Sequence, residues 1–380
     1  MDRGAKSLTE TIMLATSTRI ALANPASVLK PLCEHLVEHE AVITEQDGAT
    51  VITLDGSRAR IDLSATALDV TVEAPDVATL IEMKRTIASH VVEFAPKDAA
   101  PQMRWTGDGT GPALPPEFRI LTVTGVERIT PHMARIRFKG ENLARYDHLD
   151  ALHVRLFIPP EDVSEPSWPM VGDDGLLLPS PAETRPLVRK YTIREIDVAA
   201  STLAIDFVLH EDAGPGSAFA FRAQAGDRIG MAGPGGRGLK AAERYVFLAD
   251  ETGLPAVARM LENLPEGAVG QAFIEVADAR EEQALRRPAG MALTWLHRGA
   301  AAPGSLPLLQ DALATIDWPA DGPSTYLWAA AEYAAFKAIR AASRDKLRPE
   351  RDQNLVVSYW RSGASDEEHV AAKKAEAAKG

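Results

Sequence analysis

The most informative segment of this acidic sequence is Arg185-Pro-Leu-Val-Arg189-Lys190-Tyr191-Thr192-Ile193-Arg194, which carries four basic residues and no carboxylate. Extended over 189–194, it places Arg189, Tyr191 and Ile193 on one face and Lys190, Thr192 and Arg194 on the other. An arginine can grip a pyrophosphate through paired, charge-assisted bonds. A tyrosine two residues on can lie against a flat ring, and a threonine can bond a ring nitrogen. The plainer reading of the sextet is a solvated strand with scattered charge. A second segment, Phe207-Val-Leu-His210-Glu-Asp-Ala-Gly214-Pro-Gly216-Ser217-Ala218, ends a strand in a Gly-Pro-Gly turn, with Ser217 expected to cap a short helix. N–H groups at such a helix start suit an anion; a plain capped turn is the alternative. A third segment, Ala225-Gly-Asp-Arg-Ile-Gly-Met-Ala-Gly233-Pro-Gly-Gly236, is a glycine-rich exit and is weak alone.

The elements that must position these residues fall into three textures. Residues 8–95 open with a helical pattern at 26–40, then strand-like runs at 41–44, 50–54 and 67–72, then a second helix at 77–94. This is a small α+β domain, 1–97. The stretch 98–116 is rich in Pro and Gly without apolar periodicity and reads as a linker, which should let 117–380 fold alone. From 117 to 238, six short alternating runs (120–126, 134–138, 152–158, 189–193, 203–209 and 228–231) suggest an antiparallel barrel. Within it, 159–187 reads as a long loop. From 239 to 380, apolar runs at 245–249, 272–276, 292–296, 326–330 and 355–359 alternate with helical patterns at 254–264, 306–316 and 333–347. That alternation predicts a doubly wound, mostly parallel sheet. The tail 370–380 is a low-complexity helix former.

Composition narrows the function. Of 380 residues with net charge −12, acidic residues exceed basic ones by five in 1–97, four in 98–238 and three in 239–380. No region is a basic domain, so nucleic-acid binding is not expected, and an acidic surface repels anionic lipid. No 18-residue apolar run is present, so no membrane span is expected, and the N-terminus lacks the pattern of a secretory signal. The single cysteine, Cys33, permits no internal disulfide, Fe–S cluster or cysteine-based zinc site, and a reducing cytoplasm fits. Cys33, His35 and His39 resemble ligands at first. On a helix, 35 and 39 share a face while 33 lies nearly opposite, so no metal is expected. Trp328 and Phe336 read as core.

The three chemical segments in this order, before an α/β region, resemble the ferredoxin-reductase-like flavoproteins and, more narrowly, the siderophore-interacting protein family of ferric-siderophore reductases. The matching strings are Arg189-Lys-Tyr-Thr-Ile-Arg194, Ile205-Asp-Phe-Val-Leu-His210 with Gly214-Pro-Gly-Ser217, and Ala249-Asp-Glu-Thr-Gly-Leu-Pro-Ala256. Leu327-Trp-Ala-Ala-Ala-Glu332 and Ser358-Tyr-Trp-Arg-Ser-Gly363 follow. They span 117–366. Residues 8–95 resemble, in length and element order, a small domain of unknown function sometimes fused to this family.

The resemblance implies an FAD site in which Arg189 holds the pyrophosphate. Tyr191 flanks the isoalloxazine, Thr192 bonds near its N5, and Ile193 and Arg194 complete the strand. His210, Gly214, Gly216, Ser217 and Ala218 would hold phosphates or the ribityl chain. Asp250 and Thr252 form the turn that replaces a glycine-rich one, with Glu251, Glu332 and Trp360 on the nicotinamide side. Ala331 stands where relatives often show glycine. Arg155 matches a basic position facing the chelate. The family's third basic residue is unmatched, and Arg361 and Arg194 are the nearest substitutes. The implied activity is reduction of a ferric siderophore in the cytoplasm by FAD, with NADH, NADPH or ferredoxin as donor. No metal cofactor and no catalytic acid–base residue are needed, and a monomer is expected. Two alternatives remain: a general NAD(P)H:flavin or ferredoxin-type reductase, and a non-catalytic FAD-containing siderophore-binding protein.

Overall fold

The computed structural model describes residues 13–210, 214–316, 318, 325–344 and 354–377. The chain forms two compact units. One is the chain up to Phe118 together with Asp162–Arg185; the other is Arg119–Glu161 with everything from Pro186 onward.

In the first unit, strands β1 (Leu14–Ala21), β2 (Val42–Gln46), β3 (Ala49–Leu54), β4 (Ser57–Leu63), β5 (Ala67–Ala74) and β6 (Thr106–Gly107) form one sheet in the order β2-β3-β4-β5-β1-β6. Helices α1 (Pro25–Glu38) and α2 (Val77–Phe94) share a core with it. β1 and β4 go beyond the sequence reading. Their inward residues are Thr16, Thr18 and Ile20 in β1, and Ser57, Ala59 and Ile61 in β4. Small and polar inward residues mute the alternation that marks a strand.

The stretch 98–116, read as a linker, is instead part of this core. Trp105 is 1% exposed and Met103 is buried beside it. Thr106–Gly107 pairs antiparallel with β1. Asp162–Arg185, read as a barrel loop, completes the same unit. The Trp105 N–H donates to the Asp173 carbonyl at 3.0 Å, and its indole N–H to the Asp174 carbonyl at 3.3 Å. Gly175, at φ +83°, sits so close to α2 that a Cβ would meet Ala88 Cβ at 2.9 Å. A truncation at 117 would therefore strip 162–185 of its partners.

The second unit begins with a closed barrel of β7 (Phe118–Thr130), β8 (Met133–Lys139), β9 (His153–Ile158), β10 (Leu187–Asp197), β11 (Thr202–Val208) and β12 (Arg228–Gly235), in the order β10-β11-β8-β7-β12-β9. These are the six expected runs, four of them lengthened. Helix α3 (Pro215–Arg222) follows β11. Next come five parallel strands, β13 (Arg244–Ala249), β14 (Val269–Val276), β15 (Gly290–His297), β16 (Thr325–Glu332) and β17 (Asn354–Trp360), in the order β15-β14-β13-β16-β17. Helices α4 (Leu254–Asn263), α5 (Leu308–Ala314) and α6 (Tyr333–Ser343) connect them, and α7 (Asp366–Ala377) ends the described chain. Strand order reverses between β13 and β16, the place where doubly wound sheets bind ligands at their carboxyl ends.

The insertion gives a first prediction. Trp105→Ala should destabilise the first unit by about 3–5 kcal/mol and expose 162–185 to protease. Chemical denaturation and limited proteolysis measure both; an unchanged midpoint with an intact 162–185 would show that the indole is not part of the core.

Candidate functional site

β10 runs antiparallel to β9 with Arg189 opposite Leu156, Lys190 opposite Arg155, Tyr191 opposite Val154 and Thr192 opposite His153. One face of β10 looks into the barrel: Ile193 is buried in its core, and Tyr191 stacks at 4.4 Å on Phe207. Burial pushes the Tyr191 hydroxyl well up, with Arg189 opposing it. The Arg189 guanidinium is partly exposed and binds two carboxylates of α7, Glu367 at 2.8 Å and Asp366 at 3.9 Å. Thr192 is buried, and its hydroxyl lies near that of Tyr359 on β17, where it opposes the rise that burial gives the Tyr359 pKa. Tyr359 also meets His153 Nε2 at 2.9 Å. Burial and then Lys190 push His153 down to about 4, so the ring is neutral at physiological pH.

The turn before α3 approaches the same strand. Gly214 is the N-cap, with no side-chain cap bond. Ser217, expected at that cap, is instead the third helical residue, and its hydroxyl accepts from the His210 N–H at 3.2 Å. The Ala218 N–H is taken by the Gly214 carbonyl at 2.9 Å. Gly216 is required: a Cβ there would lie 1.8 Å from the Tyr191 hydroxyl. His210 is exposed just past β11, and residues 211–213 of that string lie outside the described residues.

At the carboxyl ends of β13 and β16 the expected nicotinamide-side residues do come together, as a wired cluster. Asp250 is buried and accepts from five groups. Thr252 N at 2.9 Å, Thr252 Oγ1 at 2.5 Å and Gly253 N at 3.4 Å bond one oxygen. Glu332 N at 3.0 Å and Trp360 Nε1 at 2.8 Å bond the other. Asp250, expected to touch cofactor, thus has both oxygens committed to protein, so it positions the turn. Glu251 is buried against Arg298; burial raises its carboxyl and the arginine opposes the shift. Glu332 caps α6 through the Ala334 N–H and accepts from Ser362 N at 3.1 Å. Glu275, at the end of β14, was not singled out from the sequence. Burial, reinforced by Asp250 and Glu251, pushes its carboxyl up to about 7.

The cations divide differently from the expectation. Arg194, expected beside both flavin and chelate, is 6% exposed and makes a bidentate pair with Glu262 of α4 at 2.6 and 2.8 Å. Its charge is spent inside the fold, on the face of β10 that packs on α4. Arg361 is held over the Tyr333 ring, 4.8 Å from the centroid. Arg155 and Lys190 are both exposed and directly opposite in register. Among the described residues no ion pair engages either one. Like charges so placed repel unless an anion joins them. The Lys373 ammonium of α7 bonds the Ser358 carbonyl at 3.1 Å, and burial and then Lys190 lower its pKa. Lys373 thus lies near the β17 position where the third cation was missing. Nothing in the local sequence flags it, because it returns from 15 residues further along.

Comparison with known proteins agrees with this geometry. Residues 122–238 match the siderophore-interacting FAD-binding domain and residues 242–363 the siderophore-interacting protein model. Residues 17–106 match an uncharacterized family conserved in bacteria. The chain is 33% identical to the NADPH-dependent ferric-chelate reductase of Escherichia coli over 64% of its own length and 92% of that protein's. It is 28% identical to the ferric vibriobactin reductase of Vibrio cholerae over 66% and 91%. A siderophore utilization protein from T. fusca superimposes with TM-score 0.59 at 42% identity, covering 66% of this chain and 96% of that one. From the barrel strand with its Arg-Lys-Tyr-Thr run to the buried carboxylates at the sheet's switch point, the chain belongs to the siderophore-interacting protein family.

Proposed function

We propose that this protein is an FAD-dependent ferric-siderophore reductase that releases iron by converting chelated Fe(III) to Fe(II). The observation that carries the reading is the seam between β10 and β17. There the Tyr359 hydroxyl meets His153 Nε2 beside the buried Thr192, with two exposed cations on the adjoining positions of the same barrel face. A ring held at Thr192 would lie between the carboxyl ends of the parallel sheet and an anion-binding strip.

The residues present fit FAD. Gly216 leaves room where any side chain would strike Tyr191, and Arg189 already holds two negative charges from α7. Arg189 would take the pyrophosphate in place of those carboxylates. Tyr191 would flank the ring system and Thr192 would bond its edge. The N–H groups of the Gly216–Ser217 turn would receive a phosphate. Bound there, FAD supplies the conversion of a two-electron hydride donor into single electrons for iron. The Asp250 network holds Trp360 and Glu332 at the nicotinamide side, and NADPH is the donor favoured by the Escherichia coli relative. Arg155, Lys190 and Lys373 would orient an anionic ferric chelate against an overall charge of −12. The chain needs no proton-transfer residue for this step, since electrons alone pass to the metal and hard oxygen ligands hold ferrous iron less tightly.

The direct experiment mixes purified yellow protein, NADPH or NADH, and a ferric chelate, and traps ferrous iron with a chromogenic chelator. Bleaching by the donor without Fe(II) release would exclude the ferric substrate. Arg189→Ala should weaken FAD binding by about 1.5–3 kcal/mol, roughly tenfold to a hundredfold, through a lost charged hydrogen bond. Flavin titration by fluorescence checks it, and wild-type affinity would remove Arg189 from the site.

The cation strip makes a separate prediction. Arg155→Glu, Lys190→Glu and Lys373→Glu should each raise KM for an anionic ferric chelate while donor-driven bleaching stays unchanged. The effect should shrink as salt rises, since exposed charges are screened beyond about 8–10 Å near physiological ionic strength. Chelate kinetics that ignore all three reversals at low salt would dismiss the strip.

A further inference from the structure

The first unit carries three histidines that the reductase reading does not use. His35 lies in the last turn of α1, His39 is the residue that caps it, and His90 comes from α2. The Nε2 atoms of His35 and His39 are 3.2 Å apart. The His35 ring centroid is 4.8 Å from that of His39 and 5.0 Å from that of His90. Two imidazoles sharing a tetrahedral zinc at ~2.0–2.1 Å have ligating nitrogens about 3.3 Å apart and ring centroids about 5 Å apart. The pairwise spacings around His35 match that geometry.

We propose that His35, His39 and His90 form a three-histidine site for a borderline divalent first-row cation of the zinc class. The surroundings are those of ligands. His90 Nδ1 lies 2.7 Å from the Thr86 carbonyl, which can only accept, so Nδ1 carries the proton and Nε2 keeps its lone pair. His35 Nδ1 faces the Glu38 carboxylate at 3.8 Å, a negative charge beside the ring that favours a cation. Phe94 closes the apolar side, its ring 6.0 Å from His35 and 6.2 Å from His90. Cys33 is packed against the core and takes no part. Among the described residues no three ligating side chains are already arranged around one point. His90 therefore completes the set by a small shift of its side chain that keeps Nδ1 on the Thr86 carbonyl as the ion arrives. Three imidazoles without a thiolate favour Zn(II), Ni(II) or Co(II) over hard cations. Sequence spacing alone showed only the pair on α1, because His90 is 51 residues beyond His39.

The proposal does not rest on the reductase reading, and its failure would leave that reading intact. Zn2+ added to metal-free full-length protein at neutral pH, followed by equilibrium dialysis and elemental analysis, should give one ion per chain. Co2+ in its place should give visible absorption to the red of the flavin bands. His39→Gln, at an exposed position, and His35→Gln should abolish this uptake, and His90→Gln should weaken it tenfold or more. Three results would overturn the site: wild-type Zn2+ uptake in His39→Gln, wild-type affinity in His90→Gln, or a wild-type chain that binds none of Zn2+, Co2+ and Ni2+. The last would mark a hydrogen-bonded pair with a neighbouring ring.

Discussion

Arg259 couples the barrel to the parallel sheet. Its guanidinium leaves α4, is almost wholly buried, and donates to the carbonyls of Ile193 at 3.1 Å, Tyr146 at 3.2 Å and His148 at 3.2 Å. Beside it, Glu262 of the same helix takes Arg194 of β10 in a bidentate pair. Two buried arginines so close would repel; one is neutralised by a carboxylate and the other is spread over three carbonyl dipoles. Removing one partner of such a buried arrangement costs about 3–5 kcal/mol, far more than the arrangement contributes over an apolar substitute. That asymmetry suits positioning. β10 carries Arg189, Tyr191 and Thr192, and α4 begins four residues after Asp250, so one helix fixes the motif strand and the carboxylate turn against each other.

The second level of order is the way buried carboxylates are handled. Asp250 is satisfied by five donors drawn from β13's turn, β16 and β17, so it ties three chain segments together where a glycine-rich turn would tie none. Glu251 has its own arginine, and Glu332 serves a helix start. Glu275 has a buried oxygen without a partner, and burial beside Asp250 and Glu251 raises its carboxyl to about 7. Negative charge is thus locked into protein contacts at the sheet, whereas positive charge on Arg155 and Lys190 is left facing solvent. In an acidic protein, that contrast makes the barrel face beside Thr192 the electrostatically distinctive place.

Much of this was legible in the sequence, for definable reasons. The barrel and the parallel sheet announced themselves because their inward residues are large and apolar, such as Ile136, Phe138 and Leu156, or Val246, Phe247 and Leu248. β1 and β4 were silent because threonine, serine and alanine fill the inward places. Proline and glycine mark 98–116 and 159–187 as irregular, but irregular chain can still be packed chain, and Trp105 was the available warning. The candidate site divided along the same line. Residues that act within one strand or turn, such as Arg189, Tyr191, Thr192 and Gly216, show in local spacing. Those whose meaning depends on a distant partner did not: Arg194 is claimed by Glu262, Lys373 returns to β17, and His90 comes to α1.

The first unit is assembled from two stretches of chain with half of the barrel between them. Its core includes Trp105 bonded to the carbonyls of Asp173 and Asp174. On the ribosome that unit is not complete when residue 118 emerges, because Trp105 still lacks its two carbonyl partners. It must wait until 162–185 has been made, by which time β7, β8 and β9 have already left the exit tunnel without β10, β11 and β12. Vectorial synthesis therefore holds an uncovered first unit and a half-built barrel open together, and the order of birth that usually lets an amino-terminal domain finish first is suspended. The tryptophan indole registers the moment at which that wait ends.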